Sequence, residues 1–151
     1  WLATALVMAM MMLPGAIMQP WMGKISDNIG RRPLIILGNA VAAAAAFVAW
    51  ISSSFMLSLM ALGIALIVLV AIRAVLLAAA VDHAGAREGT SLGLTFVFMD
   101  GFAASAAVLA GLAGENDLSN AFLLASGFSL LAVILALGTP KPVRELAKET
   151  S

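Results

Sequence analysis

Cysteine is absent from this 151-residue chain, which excludes a disulfide framework and any thiolate metal site. Histidine occurs once, as His83 in a polar stretch, so an intramembrane hydrolase would lack a base at the depth of its nucleophile. Charge is scarce as well: 11% of residues are Asp, Glu, Lys or Arg, and their formal sum is zero. A nucleic-acid partner needs a basic face, and this composition supplies none. The chain also opens without an initiating Met or a basic leader. Trp1 runs directly into apolar residues, which read as a mature membrane span rather than a signal peptide, and as part of something longer.

What is present is apolar side chain. Hydrophobic residues make up 63% of the chain and mean hydropathy is +1.08, against roughly half apolar in a soluble domain. One globular core cannot hide that much, so the expected solvent is membrane lipid. The fold class is all-α, a polytopic transmembrane helix bundle. Five spans are expected at 2–22, 34–52, 55–80, 89–111 and 118–137, forming a bundle over 1–138. Residues 139–151 form a polar tail that opens TPKP, where two prolines stop a helix. Each span has the roughly 20 residues needed to cross about 30 Å of hydrocarbon.

The segment 23–33, GKISDNIGRRP, separates the first two spans and is expected to be a tight polar turn at the membrane surface. Pro33 suits a first helical turn, where its missing N–H has no partner to lose. Basic residues set the orientation, because Lys and Arg are retained in the cytoplasm. Lys24, Arg31, Arg32, Arg87, Lys141, Arg144 and Lys148 fall in the first turn, the third turn and the tail; the other two turns hold none. This predicts a multi-pass protein of the cell membrane with its N-terminus outside and its C-terminal tail cytoplasmic. Trp1, Trp21 and Trp50 sit at span ends, where amphipathic rings prefer the interface.

Gly23, Asp27, Gly30, Arg31 and Arg32 fit the pattern G-x-x-x-D-x-x-G-R-R, and this turn resembles the cytoplasmic signature loop of the major facilitator superfamily of transporters. REGTSLGL at 87–94 is similar to the entry of that family's eleventh helix. The resemblance implies that the five spans correspond to helices eight to twelve and that the preceding helices of the same transporter complete the path. It also implies a cytoplasmic latch made by Asp27 and Arg31. Asn28 departs from the pattern, where a basic residue is common. On the residues alone, Asp27 has two candidate partners: Arg31 or Arg32, and the start of the fourth span at Gly89, Thr90 and Ser91. Gly23 and Gly30 are expected to adopt turn conformations closed to other residues.

Two charges lie inside spans. Asp100 falls about eleven residues into the fourth span, roughly 17 Å deep, where insertion costs about 2.5 to 3.5 kcal/mol and a carboxylate faces protein or water. Arg73, about seven residues from the end of the third span, either snorkels to the surface or reaches Asp100. Both are candidates for substrate or proton coupling, with a purely structural pair as the alternative. Gln19 and Asn39 are expected to bond across helices, Gly89, Gly93, Ala103, Ala107 and Gly111 to pack against a neighbouring helix, and Met8, Met10, Met11 and Met12 to face lipid or pack. These readings favour the C-terminal part of a secondary transporter moving a small solute by alternating access. A non-transporting membrane scaffold is the alternative. No enzyme activity, cofactor or metal is expected.

Overall fold

The computed structural model describes residues 2–84, 88–115 and 117–138. The expected tail, and with it Lys141, Arg144 and Lys148, lies outside the described residues, as do Trp1 and Arg87. Five helices follow one another: α1 Leu2–Ile29, α2 Arg31–Ile51, α3 Phe55–Ala84, α4 Glu88–Ala113 and α5 Ser119–Gly138. Among the described residues there is no strand. Helices α2 to α5 are long and apolar enough to cross a bilayer. The first expected span is α1, several of whose N-terminal side chains lie outside the described residues.

The expected turn at 23–33 is almost entirely helix. α1 continues to Ile29, α2 starts at Arg31, and only Gly30 stands between them, with φ 100° and ψ 152°. The backbone explains this. The Gly30 amide still donates to the Ser26 carbonyl at 3.0 Å, and the Ser26 hydroxyl donates back to the Gly23 carbonyl at 2.6 Å, so nothing polar here interrupts the ladder. The polarity of the segment marks a change of surroundings, not of backbone. Gly30 alone needs the freedom of glycine, because its positive φ is disfavoured for any residue with a Cβ. Gly23 sits within α1 with no neighbour near its missing Cβ, so the expected turn role falls away there.

The opposite connection is short. Ser52, Ser53 and Ser54 link α2 to α3; the Ser54 amide donates to the Ser52 hydroxyl at 3.2 Å, and the Ser58 hydroxyl donates to the Ala49 carbonyl at 3.3 Å. Between α4 and α5 the Asp117 carboxylate accepts the Ser119 amide at 2.9 Å and caps the start of α5. Hydrogen bonding from Ser119, hydroxyl first and then amide, holds the Asp117 carboxyl below the usual range.

α2 is the centre of the bundle. Its alanine run buries Ala42, Ala43, Ala46 and Ala49, and small side chains let α3 and α5 close on either side. Ser126 of α5 donates to the Ala43 carbonyl at 3.0 Å in that seam. On the other side a Cβ at Gly38 would stand 2.6 Å from the Ile72 side chain, itself 1% exposed. α1 meets α3 more tightly still: a Cβ at Gly15 would lie 2.6 Å from the Ile67 carbonyl oxygen. One turn on, Gln19 donates across that seam to the Val70 carbonyl at 3.1 Å. Asn39 differs from its expectation, because its amide bonds to Ile35 within its own helix.

α4 lies against α3 and α5 through few contacts, and none of its described residues is buried. The expected packing of Gly89, Gly93 and Gly111 on a neighbour is not made within this chain: nothing lies within 4 Å of the position of their missing Cβ atoms. Met10 and Met12 are exposed on α1, while the Met11 methyl lies near Gly63. The Met8 side chain is outside the described residues.

The seam at Gly15 yields a direct expectation. Backbone cannot yield as a side chain can, so Gly15→Ala will lower stability by about 1 to 3 kcal/mol. Gly127→Ala in α5, where nothing lies within 4 Å, will leave stability unchanged or slightly raised. Thermal unfolding of the detergent-solubilised variants measures both, and equal effects would mean that the α1–α3 approach is not fixed by this glycine.

Candidate functional site

Gly30 delivers two consecutive arginines to the first turn of α2, and they reach in different directions. The Arg31 guanidinium donates from Nε to Asp82 Oδ2 at 2.6 Å and from Nη1 to Ser26 Oγ at 2.6 Å, and its Nη2 pairs with Asp27 Oδ1 at 2.9 Å. One planar group thus holds the end of α1 and the end of α3 at the start of α2. Arg32 donates from Nε to the Ala136 carbonyl at 3.0 Å and from Nη2 to the Leu137 carbonyl. It occupies the C-terminal end of α5, where the last carbonyls lack helical donors and the dipole favours a cation.

Of the two alternatives for Asp27, the pairing with Arg31 is the one formed, at helical spacing i, i+4. Among the described residues no hydrogen bond joins Asp27 to Gly89, Thr90 or Ser91; instead Ser91 donates to the Ala80 carbonyl at 3.0 Å and ties α4 to α3. The strongest partner of Arg31 is a residue the sequence reading missed. Asp82 is only 14% exposed at its side chain, against 62% for Asp27. It sits in the last turn of α3, where the helix dipole opposes a carboxylate, and the guanidinium offsets that cost. Ser26, 1% exposed, was missed too. The available signal was an acid, Asp82, at the start of the next basic turn. It was hidden by ending the third span at residue 80, four residues before α3 ends.

The same extension corrects the depth of Arg73. Eleven residues separate it from Ala84, and twelve separate Asp100 from Glu88, so the two side chains stand roughly 17 to 18 Å from the ends of adjacent antiparallel helices. They are level, and they meet. Arg73 Nη2 lies 3.3 Å from Asp100 Oδ1, with the guanidinium 6.0 Å from the centre of the Phe96 ring. The reach to Asp100, rather than to the surface, is the arrangement formed. This pair is open: the side chains are 43% and 70% exposed. A shallow apolar hollow over Gly101, lined by Val97, Phe98, Phe102 and Ser105, lies on another flank of α4. No three His, Asp or Glu side chains converge on a metal-binding point among the described residues.

A double-mutant cycle separates the two carboxylates of Arg31. Coupling of Arg31 to the sheltered Asp82 is expected at about 1.5 to 3 kcal/mol, as for a hydrogen bond to a charged group. Coupling to the exposed Asp27 is expected at about 0.3 to 0.5 kcal/mol. Stability of the four variants in each cycle measures both, and equal couplings would remove Asp82 as the principal anchor.

The comparisons with known proteins agree with this geometry. The family model described as Major Facilitator Superfamily matches residues 2–151. No curated protein and no solved structure shows a significant match. With a match over nearly all of its length, a bundle of apolar helices and a G-x-x-x-D-x-x-G-R-R segment set at the junction of α1 and α2, the chain belongs to the Major Facilitator Superfamily of membrane transporters.

Proposed function

We propose that the chain is the C-terminal part of a secondary active transporter that moves a small solute by alternating access. Arg73 and Asp100 lie on the path, and Gly23, Asp27, Gly30, Arg31 and Arg32 form the cytoplasmic gating segment. The observation that carries this reading is the open ion pair. A carboxylate 70% exposed and a guanidinium 43% exposed, level with each other deep within long apolar helices, cannot face hydrocarbon. They face protein or a water-filled space. A purely structural pair is the alternative, and the exposure of both side chains supports a solute path over it.

The cluster at Arg31 supports the gating role. It joins three helix ends through one side chain, so a movement that separates α1 from α3 breaks either the Asp82 ion pair or the Asp27 ion pair with the Ser26 hydrogen bond. The chain works with further helices, which cover the face of α4 that carries Asp100. The basic residues Lys24, Arg31 and Arg32 support a cytoplasmic location for this end of the bundle in a cell-membrane protein, with a cytoplasmic tail and an external N-terminus. Asp100, the acid of the open pair, is the residue proposed for proton coupling.

Two measurements test the reading. The chain has no cysteine, so Ala104→Cys, one turn beyond Asp100 on the same helix flank, is the one thiol it contributes, and the parent protein without it is the labelling control. A membrane-impermeant thiol reagent is expected to modify it in both right-side-out and inside-out vesicles. Modification from one side only would end the alternating-access proposal. In reconstituted vesicles Asp100→Asn is expected to abolish solute flux at unchanged protein level; unchanged flux would take Asp100 off the path.

A further inference from the structure

The Arg73–Asp100 pair also carries information about the class of solute, on the assumption that it lies on the path. Arg73 uses one of its five N–H groups, on Asp100, and Asp100 accepts that one hydrogen bond. Four donors and most of a carboxylate's acceptor capacity are left for another molecule, side by side and 3.3 Å apart. In a water-filled space, water takes up that capacity, and a solute bearing matching groups can displace it.

The two charges cancel, and this decides between classes. A monovalent anion drawn to Arg73 meets the Asp100 carboxylate beside it, and a monovalent cation drawn to Asp100 meets the guanidinium. Neither gains much net attraction. A molecule that bears an ammonium and a carboxylate on one carbon matches both: its carboxylate takes the free N–H groups of Arg73, its ammonium donates to Asp100, and the four charges alternate in sign. Phe96, packed under the guanidinium, offers an aromatic wall for an apolar substituent. We infer that the Arg73–Asp100 pair is a zwitterion site, and that the solute belongs to the α-amino acid class with an apolar side chain.

The test is equilibrium binding to the whole transporter in detergent, using L-leucine, its cationic amide leucinamide and its anionic deamino analogue 4-methylpentanoate, with the other apolar α-amino acids as a panel. At least one amino acid of the panel is expected to bind about tenfold or more tightly than its two singly charged analogues. Two variants then break the symmetry. Asp100→Asn leaves an unbalanced cation and is expected to shift preference to the carboxylate analogue, whereas Arg73→Gln is expected to shift it to the amide. A structural role for the pair would lower stability in both variants without reversing selectivity. Equal binding of the three charge types, binding of none of them, or the same selectivity in both variants would overturn the inference. The transport reading has its own outcome: two-sided modification of Ala104→Cys together with failure of the amino acid panel would leave that reading standing and remove only the solute class.

Discussion

Everything at one end of this bundle depends on a guanidinium that has to be shared. Arg31 is 21% exposed at its side chain and is surrounded by acceptors from two other helix ends. Its neighbour Arg32 closes the end of a third. Two adjacent residues can serve three helices only because Gly30 takes a positive φ and resets the chain direction in one step. A longer loop would deliver the same charges with less definition, since each added residue brings conformational freedom that the ion pairs must overcome.

Away from that end, cohesion comes from closeness and from hydrogen bonds aimed at carbonyls. Apolar helices in lipid gain little by burying apolar surface, since the tails are as apolar as the side chains. The seams accordingly contain Gly15 against Ile67, Gly38 against Ile72, and the alanine face of α2. Gln19, Ser91 and Ser126 each donate to a carbonyl of a neighbouring helix. The described residues leave no buried side-chain nitrogen or oxygen without a partner. α4 follows only the second rule, through Ser91, having no buried residue and carrying both an exposed aspartate and exposed glycines.

Helix number and order, and the motif at the first junction, were legible from apolar runs and punctuation, because those features are local. Helix ends were not. The reading stopped helices where polar residues began, at residues 22 and 80, whereas helix hydrogen bonding continues to Ile29 and Ala84. Polarity reports the surroundings of a side chain, and the backbone ladder is indifferent to it. That single error hid Asp82 from Arg31 and placed Arg73 too near the surface. The partner of Asn39 escaped for another reason: a side-chain amide can bond to its own preceding turn as readily as across a seam, and sequence does not separate the two.

The order in which α3 and α4 enter the membrane acquires a consequence from the ion pair between them. During synthesis α3 emerges first and brings a lone arginine; α4 follows with the aspartate that neutralises it. Inserted singly, each would carry about 2.5 to 3.5 kcal/mol of penalty for a charge near mid-helix. Entering together as a hairpin, they share one neutral contact. The pair proposed to lie on the solute path therefore also favours delivery of these two helices to the bilayer as a unit, and it gives the weakly packed α4 a reason to stay there.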